Sequence, residues 1–123
     1  MASRPIFSPY QVITNGDMTQ TLHSKVTIVQ NLSMISYEIS WSGTPTGAFT
    51  VEVSNTYSQN AAGAVVNTGN WTALALSSAI TATGSAGVAF ADVDATGAYA
   101  VRLTYVPSGG SGTLQATVAG KVA

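Results

Sequence analysis

Strict alternation of apolar and polar residues is the feature that most limits what this chain can fold into. The longest example spans residues 33–41, where polar residues separate the apolar members Ile35, Tyr37, Ile39 and Trp41. Because side chains along a strand point to opposite faces in turn, this pattern predicts a β-strand with one buried and one solvated face. No window of a dozen residues shows the period of a helix.

Similar segments recur along the chain at the spacing typical of all-β sandwiches and barrels. About eight of them can be recognised, and 123 residues is the usual length of one domain. We therefore predict an all-β fold, a single-domain antiparallel β-sandwich of jelly-roll-like topology with about eight strands. Pro5 and Pro9 predict an extended N-terminal arm at residues 1–10, followed by a sandwich domain at residues 11–123.

Three turn signals predict tight connections between neighbouring strands. Asn15-Gly16 is a dipeptide strongly favoured in two-residue hairpins, because both central residues of that turn need positive φ. Gly43-Thr-Pro-Thr-Gly47 predicts a central hairpin, and the glycine-rich residues 107–112 predict a closing one. In the strand at residues 87–93, alternation places Val88 and Phe90 on one face, which Asp92 would share.

The low charge of the chain narrows the classes of partner. Charged residues make up 7% of the chain, against about 25% in typical soluble domains, and the formal net charge is −1. Four basic residues spread along the sequence provide no footprint for phosphate backbones, so we expect no nucleic acid partner. A net charge near zero gives little electrostatic protection against self-association, which is harmless for a protein that works inside an assembly.

The absence of cysteine and of long apolar runs argues against two further classes, disulfide-bonded or thiolate-metal proteins and membrane proteins. There is no cysteine, so neither a disulfide nor a thiolate metal site can form. No apolar run approaches the roughly 18 residues of a membrane helix, which argues against membrane insertion. The first residues do not resemble a signal peptide, so we expect a product made in the cytoplasm.

Candidate catalytic groups are sparse. His23 is the only histidine, and the adjacent Ser24 would point to the opposite face of a strand, so we interpret His23 as a surface or rim residue. Glu38 and Glu52 lie on neighbouring predicted strands and could pair as glycosidase carboxylates only if they faced each other across a groove. We predict no catalytic residues, no cofactor and no enzymatic activity.

Asp92 and Asp94 are the weak candidates for a metal site. They lie two residues apart at a strand end, where both carboxylates and nearby carbonyl oxygens could bind calcium. A solvated pair at the end of a strand is the commoner arrangement, so no metal site is predicted.

Aromatic residues offer an alternative kind of site. Tyr57 and Trp71 flank a long polar loop at residues 58–70 and could stack on a sugar ring. Register with aliphatic neighbours assigns the other candidate rings to the core: Tyr37, Trp41, Tyr99 and Tyr105.

The N-terminal arm carries several apolar side chains, which would be unfavourable if they were exposed to water. It could lie along its own domain or dock on a neighbouring subunit, and the second interpretation predicts contacts between subunits of a homo-oligomer. The residues predicted to make these contacts are Pro5, Ile6, Phe7, Pro9, Tyr10 and Val12.

Three sequence blocks together resemble a known class of protein. Residues 43–54 read GTPTGAFTVEVS, residues 67–74 read NTGNWTAL, and residues 99–118 read YAVRLTYVPSGGSGTLQATV before Gly120-Lys121. In this order they resemble small β-sandwich structural proteins of bacteriophages and prophages, over roughly residues 39–121. The layout is also similar to discoidin-type sandwiches, some of which bind glycans.

The resemblance implies a non-enzymatic virion protein, capsid-associated, decorating or otherwise minor. Such a protein is made in the host cytoplasm, is located in the virion, and acts by self-association and packing on other virion proteins. The alternative is a carbohydrate-binding module that recognises a receptor glycan on the host surface.

Overall fold

The computed structural model of the protein describes residues 6–29, 34–74, 79–94 and 98–121, without the side chains of residues 6–8, 94 and 121. These ranges contain twelve strands and no helix. In chain order the strands are β1 (Ile6–Asp17), β2 (Leu22–His23), β3 (Thr27–Ile28), β4 (Met34–Gly43), β5 (Thr46–Ser54), β6 (Ser58–Gln59), β7 (Val65–Asn67), β8 (Thr72–Leu74), β9 (Ile80–Thr83), β10 (Gly87–Asp94), β11 (Ala100–Gly109) and β12 (Gly112–Lys121). The described part of the chain has no helix of membrane-spanning length and hydropathy.

Two antiparallel sheets form the sandwich. The first sheet has the strand order β1-β12-β4-β10. The second has β11 and β5 at its centre, with the short strands β2 and β3 beside β11 and the short strands β8 and β9 beside β5. The separate ribbon β6-β7 occupies the predicted long loop. The predicted all-β antiparallel sandwich is therefore confirmed, and the strand count exceeds eight because several edge segments are only two or three residues long.

The core lies between the two sheets, as alternation requires. Tyr37 and Ile39 of β4 are fully buried, while Glu38 between them is exposed. Leu103 and Tyr105 of β11 are equally buried from the other side. Burial of each such side chain contributes about 1.5–3 kcal/mol, so these alternating strands contribute substantially to the stability of the fold.

Both predicted hairpins around the glycine-rich turns are wrong, because each turn carries the chain from one sheet to the other. β4 and β5 lie in different sheets, and so do β11 and β12. The two connections pack together, since the backbone N–H of Thr44 donates to the carbonyl oxygen of Ser111 at 2.8 Å. Gly43 has a φ of 87°, and Pro45 is buried at the start of the crossing. These residues form a corner of the sandwich.

The hairpin predicted at Asn15-Gly16 is also wrong. β1 continues to Asp17, and its register on β12 shifts between Ile13 and Gly16. Asn15 has the positive φ that its type tolerates, at 51°, but uses it for a bulge. The side chain of Gln115 on β12 fixes the bulge, since its Oε1 accepts from the Asn15 N–H at 3.1 Å and its Nε2 donates to Asn15 Oδ1 at 2.6 Å.

The face of β10 that carries Val88 and Phe90 is the outer one. Val88 and Phe90 are 80% and 60% exposed, whereas Ala91 and Val93 are buried. The register on β4 explains this, because Ala91 lies opposite Tyr37, and residues opposite each other share a face. Both faces of this strand are apolar in sequence, so alternation alone could not identify the inner one.

Part of the predicted arm belongs to the first sheet. Residues 6–10 begin β1, with Phe7 opposite Gly120 and Tyr10 opposite Val118 of the same chain. Docking of this segment on a neighbouring subunit stays a prediction.

Candidate functional site

A groove of about 490 Å³ lies on the outer side of β11, beneath the β6-β7 ribbon. Its walls come from the segment between β2 and β3, from the ribbon and its flanks, and from β11. The lining residues are Ser24, Lys25, Val26, Tyr57, Gln59, Val65, Thr68, Trp71 and Arg102. Tyr57 and Trp71, which the sequence singled out as a pair, therefore share one groove.

Arg102 organises the groove because it lies on the outward face of β11, between the buried residues Val101 and Leu103. Its strand register places it opposite Glu52 of β5. Arg102 Nε donates to Glu52 Oε1 at 2.7 Å. The guanidinium carbon also lies 4.4 Å from the centroid of the Trp71 ring, a cation–π geometry.

The two aromatic residues differ in exposure. Tyr57 is 6% exposed, and its hydroxyl accepts a hydrogen bond from Gln59 Nε2 at 2.7 Å. Trp71 is partly buried, with its ring centroid 5.8 Å from that of Tyr57 and its Nε1 donating to the Thr68 carbonyl oxygen at 2.8 Å. Trp71 is therefore the ring that a ligand in this groove can reach, and the buried Tyr57 ring packs against it.

A chain of hydrogen bonds links Glu52 to His23. Thr104 Oγ1 donates to Glu52 Oε1 at 2.8 Å, and His23 Nδ1 lies 2.9 Å from Thr104 Oγ1. Burial raises the pKa of Glu52, but the hydrogen bonds from Thr104 and Arg102, together with the Arg102 charge, outweigh burial and hold the pKa below its ordinary value. Glu52 is thus an ionised acceptor at neutral pH.

The hydrogen-bonded residues Glu52, Thr104 and His23 are not arranged as a nucleophile–histidine–carboxylate triad. The single proton of the Thr104 hydroxyl is directed to Glu52, so the hydroxyl oxygen is an acceptor for the N–H of the His23 tautomer that carries its hydrogen on Nδ1. His23 Nδ1 is 4.0 Å from Glu52 Oε1. Ser24 is buried and accepts from the Leu103 N–H at 2.8 Å, away from the imidazole.

Of the two carboxylate pairs considered from the sequence, Glu38 and Glu52 lie in different sheets, and the pair Asp92 and Asp94 is only partly described. Glu38 is exposed on β4 in the first sheet, while Glu52 lies on β5 in the second. Asp92 is exposed on β10, and the side chain of Asp94 lies outside the described residues. Among the side chains that are described, no three His, Cys, Asp or Glu residues cluster as metal ligands would.

The aromatic residues assigned to the core are buried to different degrees. Tyr37 and Tyr105 are fully buried, and Trp41 is partly buried, with its ring centroid 5.2 Å from that of Phe49. Tyr99 is 38% exposed, because it precedes β11 rather than lying within it.

The predicted subunit contacts fall on both sides of β1. Pro9 and Tyr10 are exposed, and Tyr10 Oη lies 3.4 Å from Thr27 Oγ1. Val12 is 4% exposed and packs in the core. Pro5 and the side chains of Ile6 and Phe7 lie outside the described residues.

Sequence reasoning missed the apolar surface of β10. Val88 borders a shallow depression with Trp41 and Gln115, and Phe90 borders another with Pro9 and Thr117. The signal that could have revealed it is the alternation of Val88 and Phe90 with the small residues Ala89 and Ala91, of which Ala91 lies opposite the fully buried Tyr37.

Comparisons with known proteins support the fold. No protein-family model matches the chain, and no curated protein sequence matches it. The structure is similar to that of the SPBc2 prophage-derived protein YomS, with a TM-score of 0.54, 13% identity, and coverage of 97% of this chain and 96% of that one. It is also similar to a chain in the structure of infectious bursal disease virus, Gx strain, with a TM-score of 0.51 and 10% identity. That alignment covers 98% of this chain and 32% of the viral chain, so this protein spans about a third of the viral chain's length.

Proposed function

We propose that the chain is a non-enzymatic structural protein of a bacteriophage or prophage virion, capsid-associated, decorating or minor, that acts by self-association and packing on other virion proteins. The observation that carries the proposal is the similarity of the whole sandwich to a prophage-derived protein of nearly the same length. A second similarity, to part of a chain in a virus structure, points in the same direction.

The surface chemistry agrees with a packing role. Only 7% of the residues are charged, so contacts between copies or with a shell would desolvate few ions. Pro9 and Tyr10 expose apolar surface at the edge of the first sheet, where a neighbouring subunit could cover it.

Particles isolated from the organism that encodes this chain, after induction of its prophages, provide the direct test. We expect mass spectrometry to find the protein in purified particles and immunogold labelling to locate it on them. Recovery of the protein only from the unassembled fraction would contradict the proposal.

A chain lacking residues 1–10 tests the arm. We expect it to enter particles less efficiently than the full chain, because it loses Pro9 and Tyr10. Deletion of residues 1–10 also removes part of the pairing between β1 and β12. The unfolding of the shortened chain must therefore be measured together with its incorporation into particles. Incorporation equal to that of the full chain would exclude a docking role for the arm.

Carbohydrate binding is the second candidate, favoured by the groove at Trp71. The groove combines an indole wall with the Lys25 ammonium and the Gln59 amide, groups that suit the apolar face and the hydroxyls of a sugar. Because Tyr57 is buried, Trp71 would be the ring that stacks on the sugar.

A glycan array tests this second function. Saturable binding that is lost in Trp71→Ala and kept in Thr72→Ala, an exposed neighbour on β8, would support it. The absence of saturable binding to the array, or equal binding by both variants, would contradict it.

A further inference from the structure

β10 is the one long, regular sheet edge in the described part of the sandwich. It pairs with β4 from Gly87 to Asp94 without a shift in register, and the described residues place no strand on its other side. Alternate N–H and C=O groups along that side are therefore available to another strand.

The other edges are protected in ways that β10 is not. β1, at the opposite end of the same sheet, carries three register shifts, and its Val12 carbonyl oxygen accepts from the Lys25 N–H at 3.0 Å. The edges of the second sheet are interrupted segments of two to four residues. β10 has no proline and no bulge, and its two charged residues, Asp92 and Asp94, lie at one end, so the stretch from Gly87 to Ala91 is uncharged. Edge strands normally carry one of these features, because an open edge recruits another chain.

Side chains beside this edge are apolar as well. Val88 and Phe90, 80% and 60% exposed, lie on the outer face of the strand, one residue apart on either side of Ala89. A strand added to β10 would cover part of both, since cross-strand neighbours on one face are in contact.

The sequence of the edge is complementary to itself. With two copies antiparallel and Ala89 at a two-fold axis, Val88 of each copy lies opposite Phe90 of the other, an aromatic and β-branched pair that is favourable across strands. Asp92 of each copy then lies opposite Ala86 of the other. The two Asp92 carboxylates stay about 20 Å apart along the strands, so no like charges meet.

We propose that β10 pairs with β10 of a second copy of this chain, antiparallel about Ala89, and so joins the two first sheets into one continuous eight-stranded sheet. The pairing refines the self-association on which the proposed function rests. Its test needs only the purified chain, so its outcome is separate from that of the particle experiment.

Sedimentation equilibrium of the purified full chain across a range of concentrations tests the pairing. We expect a reversible dimer, and in Phe90→Lys a dimer dissociation constant roughly tenfold larger or more, because the ammonium groups would lose hydration at the contact. Val66→Lys is the matched control, since Val66 is 68% exposed on β7 and lies far from β10 in the topology. A chain that is monomeric at all concentrations, or equal weakening by the two variants, would overturn the proposal.

Disulfide trapping tests the register in a chain that has no cysteine of its own. Directly opposed residues of antiparallel strands have Cα atoms about 4.5–5.5 Å apart, which a disulfide can span. We expect a mixture of Val88→Cys and Phe90→Cys chains to form the mixed disulfide faster than either variant forms its own. In that mixed pair, the second Val88–Phe90 contact stays intact. A preference for like-with-like disulfides, or equal rates of all three, would overturn the register.

Discussion

At the scale of single residues, close approach between β5 and β11 explains why one glycine is needed. Gly47 lies beneath the end of the buried Tyr105 ring, where a Cβ atom would come 2.5 Å from the Tyr105 hydroxyl oxygen and 2.6 Å from the Val106 carbonyl oxygen. Tyr105 in turn packs against Phe49, with the two ring centroids 4.8 Å apart and the rings tilted by 44°. The ring therefore has little freedom to move away from an added methyl group.

Gly47→Ala should lower the free energy of unfolding by about 1–3 kcal/mol, the usual range for overpacking a core. Gly109→Ala, on the strand that pairs with β5, is the control, because a Cβ atom there meets nothing within 4 Å. We expect the control to change stability by less than about 0.5 kcal/mol. Urea unfolding of both variants measures the difference in the free energy of unfolding. Equal changes in the two variants would show that the Tyr105 ring can move away from the added methyl group.

The lowered pKa of Glu52 predicts that the free energy of unfolding decreases in acid. Because its pKa is lower in the folded than in the unfolded chain, the carboxylate stabilises the fold above its ordinary pKa of 4.5 and stops doing so as the pH falls through the folded value. Asp17 acts in the same direction, since the Thr19 N–H and hydroxyl lower its pKa.

Unfolding of the wild type, Glu52→Gln and Glu38→Gln at pH 7 and pH 3 measures the Glu52 contribution. We expect Glu52→Gln to be less stable at pH 7 and to lose less stability than the wild type on acidification. Glu38→Gln, whose parent carboxylate is exposed on the outer face of β4, should follow the wild type more closely. A pH dependence unchanged by Glu52→Gln would contradict this account.

At the scale of strands, the sequence identified extended segments well and their pairing poorly. Alternation in β4 and β11 located the core faces, because only one face of each strand is apolar. In β10 both faces are apolar, and the inner one is decided by register against β4, which the segment itself does not encode. The glycine and proline residues at 43–47 and 107–112 likewise predicted tight turns, but they do not indicate whether the two strands joined by a turn belong to the same sheet. Tyr57 and Trp71, selected from the sequence as exposed rings beside the long loop, lie in one groove, but Tyr57 is buried. The salt bridge between Arg102 and Glu52 depends on pairing between distant strands.

The bulge at Asn15 offers a test at this scale. Asn15→Val should lower the free energy of unfolding by about 1–2 kcal/mol, because a β-branched residue is strained at a φ of 51°. It would also remove the amide pair with Gln115. Asn15→Gly should cost less, since glycine accepts this φ, and Thr14→Val on the same exposed stretch of β1 is the matched control. Thermal unfolding that ranks Asn15→Gly as the least stable variant would contradict this explanation.

At the scale of the whole molecule, a neutral surface and one open edge act together. A formal net charge of −1 provides little repulsion between copies, so regular edges become attachment points unless they are blocked. Bulges and short segments block the other edges of the described sandwich, so β10 is the edge at which the proposed pairing would give self-association a direction. Directed association at one edge is what an ordered assembly requires and random aggregation lacks.

The central position of β12 has a consequence for synthesis. This last strand lies between β1 and β4 and is the only strand of the described sheet that pairs with β1. While the ribosome is still making residues 112–121, β1 lacks the strand with which it pairs, and the first sheet has a gap at its middle. We therefore expect the sandwich to close only after β12 has left the ribosome, so that a chain stalled near residue 111 would present the unpaired edges of β1 and β4 to chaperones.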